Sequence, residues 1–255
     1  VNLALFDAAT KIKQKRYESQ RFSSFDSLLK EFLKDNDSKI EKVCFGVAGP
    51  VVDGKCSLTN LPWQLATERL KYNLGVDAVW LINDLVATAY SFPFLSPEDF
   101  EVIQAGNPAL NGRISVVSAG TGLGQAFLIP DRGGKYIVLD SEGGHCDFSP
   151  RNRLEAEFLF FLQKKYSRVS IERVLSGAGL LDIFEYMRSV SKDENLQDIL
   201  QSIKFPSSIV ERAINKSSRV CEETVDLFIS LYGALAGNLA LQFLSSGGVY
   251  LGGGI

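Results

Sequence analysis

The feature that most constrains the fold is the alternation of short apolar strands with amphipathic helices, which occurs twice along the chain. Two opening runs, Asn2–Phe6 and Ile12–Tyr17, flank a polar turn and predict a β-hairpin. Apolar residues at helical spacing then predict a helix at Phe25–Leu33, with strands following at Lys42–Val47 and Val79–Ile82. Antiparallel strands followed by alternating helices and strands are typical of α/β proteins.

Two further helices complete the first third of the chain. One is predicted over about Gln64–Tyr72, and the other follows the strand at Val79–Ile82 and ends near Phe92-Pro93. The predicted order is therefore ββαβαβα, with the polar pair Asn83-Asp84 at the carboxyl end of a strand.

The rest of the chain repeats this arrangement. Strands are predicted at Ile114–Val117, Gln125–Ile129, Tyr136–Leu139 and Gly247–Leu251. Helices are predicted at Leu154–Tyr166, from near Ser170, at Leu180–Met187 and at Val220–Leu244, where Gly233, Ala234, Ala236, Gly237 and Ala240 would allow close packing. We therefore expect two α/β lobes, residues 1–94 and 95–255, with a central cleft and ligand sites at strand carboxyl ends.

Charge and composition exclude several classes of protein. The net charge is −3 at a pI near 5.4, which leaves no basic surface for nucleic acid. No apolar run approaches the roughly 20 residues that cross a bilayer, so no membrane partner is expected. The four cysteines, Cys44, Cys56, Cys146 and Cys221, form no CxxC pair and indicate reduced thiols in a cytoplasmic protein rather than a zinc site.

A glycine-rich segment, Gly120-Thr121-Gly122-Leu123-Gly124, lies between two predicted strands. Alternate glycines can turn backbone N–H groups toward an anion, and Thr121 adds a hydroxyl. The same pattern also suits a tight hairpin turn that binds nothing. A second glycine run, Gly252–Gly254, follows the last strand and is weak evidence by itself.

Polar residues at two other strand ends could bind a ligand. Asp84 could act as a general base beside Asn83, or it could cap the following helix. Glu142 and the only histidine, His145, flank two glycines and form a donor–acceptor pair suited to sugar hydroxyls. With no second histidine a metal site is disfavoured, whereas a buried structural histidine stays open. Glu172 could serve only the dipole of a helix that Ser170 caps.

Together these motifs resemble the bacterial glucokinase family, which belongs to the hexokinase and actin-like ATPase superfamily with its two-lobed, ribonuclease H-like fold. The resemblance runs along essentially the whole chain, with the motifs in the family's order and spacing. Its motifs are Gly49-Pro50, Thr59-Asn60-Leu61-Pro62-Trp63, Ile82-Asn83-Asp84, Gly120–Gly124, Glu142–His145, Glu172–Gly177 and Gly252–Gly254.

The resemblance implies an ATP-dependent sugar kinase that makes glucose 6-phosphate, with Mg²⁺ neutralising charge on the phosphates. It implies that Asp84 is the catalytic base and that Asn83 is its sugar-binding neighbour. Glu142, His145 and Glu172 match the residues that hold the other sugar hydroxyls. Gly120, Thr121 and Gly122 match a phosphate loop, and Gly252, Gly253 and Gly254 begin the adenosine-binding segment. We also expect a homodimer.

Two departures from the family pattern concern the ends of the sequence. Family members have an Asp-x-Gly-Gly-Thr-Asn phosphate loop that would precede Val1, and they continue beyond Gly254-Ile255. Residues 1–255 alone are therefore expected to show little or no kinase activity and a destabilised small lobe. The related repressor and kinase family follows its histidine with a zinc-binding CxCGxxGC cluster, which the sequence after His145 lacks.

Three alternatives stay open at this point: a kinase for another hexose, a non-catalytic sugar sensor on the same fold, and an actin-like ATPase that binds no sugar. The phosphoryl donor could be ATP or polyphosphate.

Overall fold

The chain opens with the predicted antiparallel hairpin. A computed structural model of the protein describes residues 1–8, 10–36, 39–58, 61–191, 203 and 205–255. In it, β1 (Asn2–Asp7) pairs with β2 (Thr10–Arg16). Alternation along β1 places Leu3 in a hydrophobic core with residues from the strands and helices that follow.

The hairpin belongs to the first of two compact units, Val1–Thr88. Its helices and strands are α1 (Phe25–Leu33), β3 (Lys42–Val47), β4 (Lys55–Ser57), β5 (Gln64–Ala66), α2 (Thr67–Leu74), β6 (Ala78–Asn83) and the start of α3 (Asp84–Ser91). The helix α1 begins at a capping box in which Ser24 and Ser27 exchange hydrogen bonds. Strands β3 and β6 run in parallel, so their carboxyl ends, Val47 and Asn83, lie at the same edge.

The helix predicted over Gln64–Tyr72 begins three residues later than expected. Gln64–Ala66 instead forms β5, which pairs with β4, and Leu65 is buried. The Thr67 N–H donates to the Gly54 carbonyl at 2.8 Å where the helix starts. Three-residue strands alternate too briefly to be recognised in a sequence. Thr59 and Asn60, part of the motif that ends at Trp63, lie outside the described residues.

The second unit spans Ala89–Ile255, so the division falls inside α3. The lobe boundary predicted between residues 94 and 95 stays a prediction. The unit is built on a four-stranded sheet in the order β10-β7-β8-β9. These strands are β7 (Ile114–Ala119), β8 (Leu123–Pro130), β9 (Tyr136–Ser141) and β10 (Gly248–Gly253). Because β10 is parallel to β7, their glycine-rich carboxyl ends lie side by side.

Four described helices complete the unit: α4 (Arg153–Gln163), α5 (Gly177–Val190), α6 (Pro206–Ile214) and α7 (Arg219–Phe243). The prediction that a helix starts near Ser170 is wrong. Only a 3-10 turn at Ile171–Arg173 follows, and the Ser170 side chain caps nothing in it. The true cap is Ser176, whose hydroxyl accepts the Gly179 N–H at 3.1 Å. Two serines six positions apart offered the same sequence signal.

The long helix α7 occupies the predicted segment, but its glycines do not pack. Its buried face includes leucines at every fourth position, Leu227, Leu231, Leu235 and Leu239, together with Val220, Cys221, Thr224 and Phe228. A Cβ added at Gly233 or Gly237 would meet no heavy atom within 4 Å among the described residues. The expectation that these glycines allow close helix packing is therefore wrong within the described part of the chain.

By length and composition, α7 could cross a membrane, which the sequence prediction of no spanning segment did not anticipate. Its most apolar 18-residue window has a mean hydropathy of 1.4 and is 33% buried within the protein. Four leucines of α7, Leu227, Leu231, Leu235 and Leu239, lie in the hydrophobic core of the second unit. A core helix passes the same test, so this property alone is weak evidence for a membrane span.

Candidate active site

Asn83, the last residue of β6, caps the helix that follows it. Its side-chain oxygen accepts the N–H groups of Leu85 at 2.8 Å and Val86 at 3.3 Å. Its amide nitrogen donates to the Gly49 carbonyl at 3.4 Å and so links the ends of two parallel strands. The cap interpretation thus applies to Asn83 rather than to Asp84.

Asp84 is the first residue of α3, and its side chain is exposed. Its Oδ1 accepts the Leu85 N–H at 2.9 Å, and its Oδ2 has no donor among the described residues. The carboxylate also acts on a neighbour, because burial first and the Asp84 charge second raise the pKa of the Cys56 thiol. Asp84 is therefore held by its backbone at a strand end with one oxygen open to a ligand.

The Gly120–Gly122 segment is a tight turn between β7 and β8 in the second unit. The Gly120 N–H donates to the Gly122 carbonyl at 2.8 Å, and the Gly177 N–H at the start of α5 donates to the Gly120 carbonyl at 2.9 Å. Within the described part of the chain, the N–H groups of Thr121 and Gly122 have no acceptor. The segment is thus the tight hairpin turn of the second interpretation. It also presents the N–H groups of Thr121 and Gly122 as donors for an anion.

The second glycine run lies beside this turn. Gly253 is opposite Ala119 in the sheet, and the Gly254 N–H donates to the Ala119 carbonyl at 3.1 Å. Gly253 has a φ of +115°, and a Cβ there would lie 1.8 Å from the Ala119 carbonyl oxygen. Only glycine fits this position. The fold therefore brings together the two segments expected to bind nucleotide, although they are far apart in the sequence.

His145 ends a 3-10 turn that follows β9, and its side chain is 60% exposed. Its Nε2 lies 3.6 Å from Glu142 Oε2, and its Nδ1 lies 3.9 Å from Glu172 Oε1. Both distances are longer than a hydrogen bond. A carboxylate therefore faces each ring nitrogen of His145 without bonding to it. The alternative of a buried structural histidine is wrong.

The two glycines before His145 are required by close contacts. A Cβ on Gly144 would lie 2.1 Å from the Leu123 carbonyl oxygen, and one on Gly143 would lie 2.2 Å from Gln125 Oε1. The Gly143 N–H donates to Ser141 Oγ at 3.0 Å. These contacts pack the turn that carries Glu142 and His145 against the first residues of β8.

Glu172 lies in the 3-10 turn before α5, and its side chain lies beside His145 and Leu123. Its Oε2 accepts the Leu123 N–H at 2.9 Å, while its Oε1 faces His145. The idea that it serves a helix dipole is wrong, because the α-helix begins only at Gly177. Glu142, His145 and Glu172 are thus brought together, next to the Gly120–Gly122 turn.

Tyr232 on α7 is a supporting residue that sequence reasoning missed. Its hydroxyl lies 3.1 Å from the Val117 carbonyl oxygen and 3.2 Å from the Gly252 carbonyl oxygen, so its one proton can be donated to β7 or to β10, which are neighbours in the sheet. Burial raises the pKa of this phenol. A tyrosine in an apolar helix carries no sequence signal for a partner 115 residues away.

Among the described residues, no three His, Cys, Asp or Glu side chains lie close enough together to hold a metal ion. Mg²⁺ is commonly bound through one or two carboxylates and the phosphates of a substrate. The lack of such a group among the described residues therefore says nothing about the expected Mg²⁺.

Comparison with known proteins defines the class. The chain superposes on a glucokinase from an Antarctic psychrotroph with a TM-score of 0.81 and 31% identity, over 100% of this chain and 80% of that one. A ROK family glucokinase from Streptomyces griseus, in complex with glucose and AMPPNP, matches with a TM-score of 0.58 at 18% identity, over 99% of this chain and 80% of that one. The fold is the two-lobed, ribonuclease H-like fold of the actin-like ATPases, and the class is that of the sugar kinases.

Sequence similarity identifies the family. The glucokinase family model matches residues 1–255. A glucokinase of Nostoc punctiforme is 41% identical over 261 residues, which covers 96% of this chain and 76% of that protein. The chain belongs to the glucokinase family, whose members are ATP-dependent hexose kinases.

Proposed function

We propose that the protein transfers the γ-phosphoryl group of ATP to the 6-hydroxyl of glucose, giving glucose 6-phosphate and ADP. The observation that carries the proposal is the position of Glu172, which contacts the glycine turn through one oxygen and faces His145 with the other. One side chain thereby joins the polar cluster of Glu142, His145 and Glu172, which suits sugar hydroxyls, to the Gly120–Gly122 turn, which suits phosphate. The glucose and AMPPNP bound by the Streptomyces griseus neighbour are the same two kinds of ligand.

Asp84 is assigned the role of general base. Its open carboxylate oxygen would accept the proton of the sugar 6-hydroxyl while the hydroxyl oxygen forms its bond to the γ-phosphorus. The bond from the γ-phosphorus to the bridging oxygen breaks, and its electron pair leaves with ADP. Asn83 holds the strand end through its cap and its bond to Gly49, and we propose that it also contacts the sugar.

Glu142, His145 and Glu172 are assigned to the remaining sugar hydroxyls. Each ring nitrogen of His145 lies at 3.6 or 3.9 Å from a carboxylate oxygen, which is too far for a direct bond. A hydroxyl group both donates and accepts, so it could bridge the imidazole and a carboxylate at such a gap. This arrangement can bind adjacent hydroxyls of a sugar ring.

The nucleotide is assigned to the two glycine segments of the second unit. We propose that the N–H groups of Thr121 and Gly122, with the Thr121 hydroxyl, bind phosphate oxygens, and that Gly252–Gly254 leads to the adenosine. When bound with ATP, Mg²⁺ would neutralise phosphate charge. We also propose a cytoplasmic location, since all four cysteines are free thiols, and a homodimer as the oligomeric state.

The test is a coupled assay of glucose 6-phosphate formation by the full-length protein that carries this sequence, with Asp84→Asn as the variant. Asparagine can still accept the Leu85 N–H but cannot take a proton, so we expect kcat to fall by about 10²–10⁴ with glucose affinity nearly unchanged. Asp77→Asn, at an exposed aspartate in the same unit, is the matched control and should keep wild-type turnover.

Three results would contradict the proposal. An Asp84→Asn variant with wild-type kcat would remove the base assignment. A wild-type protein that binds glucose but never phosphorylates it, with ATP or with polyphosphate, would favour a sugar sensor. Faster turnover of mannose, fructose or an N-acetylated hexose than of glucose would replace the substrate.

A further inference from the structure

We infer that Glu172 is a positioning residue for the phosphate turn as well as a sugar ligand, and that residue 122 is glycine because this carboxylate occupies the space where a Cβ would lie. The inference rests on the proposed function and deepens it, since it makes sugar binding and the position of the turn depend on one side chain. All of the residues involved lie in the second unit.

A hydrogen bond from the Leu123 backbone N–H to Glu172 holds the end of the Gly120–Gly122 turn. Glu172 Oε2 accepts the Leu123 N–H at 2.9 Å, directly after the turn, and the side chain is about two-thirds buried at 31% exposure. Its other oxygen lies 3.9 Å from His145 Nδ1. A charge-assisted bond to a backbone N–H is among the stronger hydrogen bonds in proteins. The position of this carboxylate therefore sets where β8 begins relative to His145.

The glycine at position 122 is explained by this carboxylate and not by its backbone. Its φ is not in the left-handed region, so φ gives no reason for a glycine here. A Cβ there would lie 2.5 Å from Glu172 Oε2 and 3.3 Å from its Cδ, and the three nearest atoms all belong to Glu172. Gly120, in the same turn, would place its Cβ within 4 Å of no described heavy atom.

A consequence for binding follows from these contacts. A sugar that fixes Glu172 through Oε1 also fixes Oε2, and with it the Leu123 N–H and the turn before it. Conversely, a methyl group at residue 122 would displace the end of Glu172, because a flexible side chain yields more easily than the sheet backbone. The effect of such a substitution should therefore appear in sugar binding, although residue 122 was assigned to phosphate.

The experiment is a double-mutant cycle of Gly122→Ala and Glu172→Asp in the full-length protein, with the dissociation constant for glucose measured by calorimetry without nucleotide. We expect Gly122→Ala to raise this constant about tenfold in the wild-type background, as loss of one buried polar partner would. In the Glu172→Asp background, where the carboxylate is retracted by one methylene, we expect Gly122→Ala to raise it less than about twofold. Gly233→Ala, at a glycine with open space around it, is the control and should leave glucose binding and activity unchanged.

A second measurement needs no sugar. His145 is the only histidine of residues 1–255, so its Cε1–H resonance in NMR spectra, assigned by its loss in His145→Ala, reports the neighbourhood of Glu172. Gly122→Ala should shift this resonance in the wild-type background but add no further shift in the Glu172→Asp background, and Gly233→Ala should not move it.

The outcomes separate the two proposals. If the wild-type protein fails to bind glucose while the NMR cycle behaves as expected, the proposed function fails and the steric coupling stands. If glucose binds but Gly122→Ala has no effect, or has the same effect in both backgrounds, the coupling is overturned and the proposed function is untouched.

Discussion

The backbone of Leu123 is where three separate segments of the chain meet. Its N–H bonds to Glu172, its carbonyl leaves no room for a Cβ on Gly144, and its side chain is buried. The two glycines near Leu123, Gly122 and Gly144, are therefore required by different contacts. Gly144 is forced by a backbone oxygen, which cannot move cheaply, whereas Gly122 is forced by the end of a flexible side chain.

At this scale the lone histidine gives a direct prediction. Replacing His145 with alanine should raise the KM for glucose about tenfold while changing the KM for ATP less than about twofold, because its ring nitrogens face the carboxylates of Glu142 and Glu172, the other proposed sugar ligands. Steady-state kinetics with each substrate varied in turn measures both. An equal rise in the two constants would mean that His145 supports the fold of the site instead of binding sugar.

Much of the candidate site could be proposed from the sequence. The adjacent residues Asn83-Asp84 and Glu142–His145 are recognisable because each motif is continuous in sequence. The sequence could not show that Asn83, and not Asp84, caps α3. Both residue types cap helices, and only the geometry shows which side-chain oxygen faces the first N–H groups of the helix.

At the scale of elements, the start of α4 is held by a buried carboxylate. Glu155 is fully buried, and it accepts bonds from the Arg151 N–H at 2.7 Å and from the Arg151 guanidinium, while Asn152 caps the helix. Burial alone would raise the pKa of Glu155, but the hydrogen bonds and charge of Arg151 outweigh it, so the pKa lies below its usual value. The guanidinium also donates to Ser230 on α7, which ties the two helices together.

This network predicts a pH dependence of stability. A carboxylate with a lowered pKa stabilises the folded state fully above its unfolded pKa, about 4.3, and loses this effect as pH falls through the folded value. We expect Glu155→Gln to lower the free energy of unfolding by about 2 kcal/mol at neutral pH, with the difference from wild type shrinking below about pH 4. Urea unfolding monitored by circular dichroism across this range measures it.

The matched control lies on the same helix. Glu157 pairs with the exposed Arg153, so Glu157→Gln should change stability by less than about 1 kcal/mol at any pH. A loss for Glu155→Gln that stays constant down to pH 3 would contradict the assignment of the effect to its charge.

At the scale of the whole molecule, the described residues form two separate hydrophobic cores. One includes Leu28, Phe32 and Trp63 of the first unit, and the other includes Phe158, Leu175 and Ile183 of the second. Each core draws on residues far apart in sequence, so each unit has its own cooperative packing.

The two cores predict that destabilisation is local. Leu28 is completely buried, and Leu28→Ala should cost about 2–5 kcal/mol in the first unit. Native-state hydrogen exchange followed by mass spectrometry should show faster exchange in β3 and β6 with little change in β7 and β8. Ile183→Ala is the matched variant and should reverse the pattern. Equal acceleration in both units for either variant would show that they unfold as one.

The sequence alone determined most of the longer elements and the continuous motifs, because hydrophobic periodicity and continuous polar runs are local properties, but it did not predict the short strands β4 and β5 or the helix α6. It located the hairpin, the strands of the sheet and α7 to within a few residues. The tertiary structure decided which of these segments meet. The parallel pairing of β10 with β7 places Gly253 against Ala119, and the 3-10 turn before α5 aims Glu172 at the Leu123 N–H. Such contacts join residues dozens to more than a hundred positions apart, where no local pattern operates, and they depend on backbone geometry that only packing fixes.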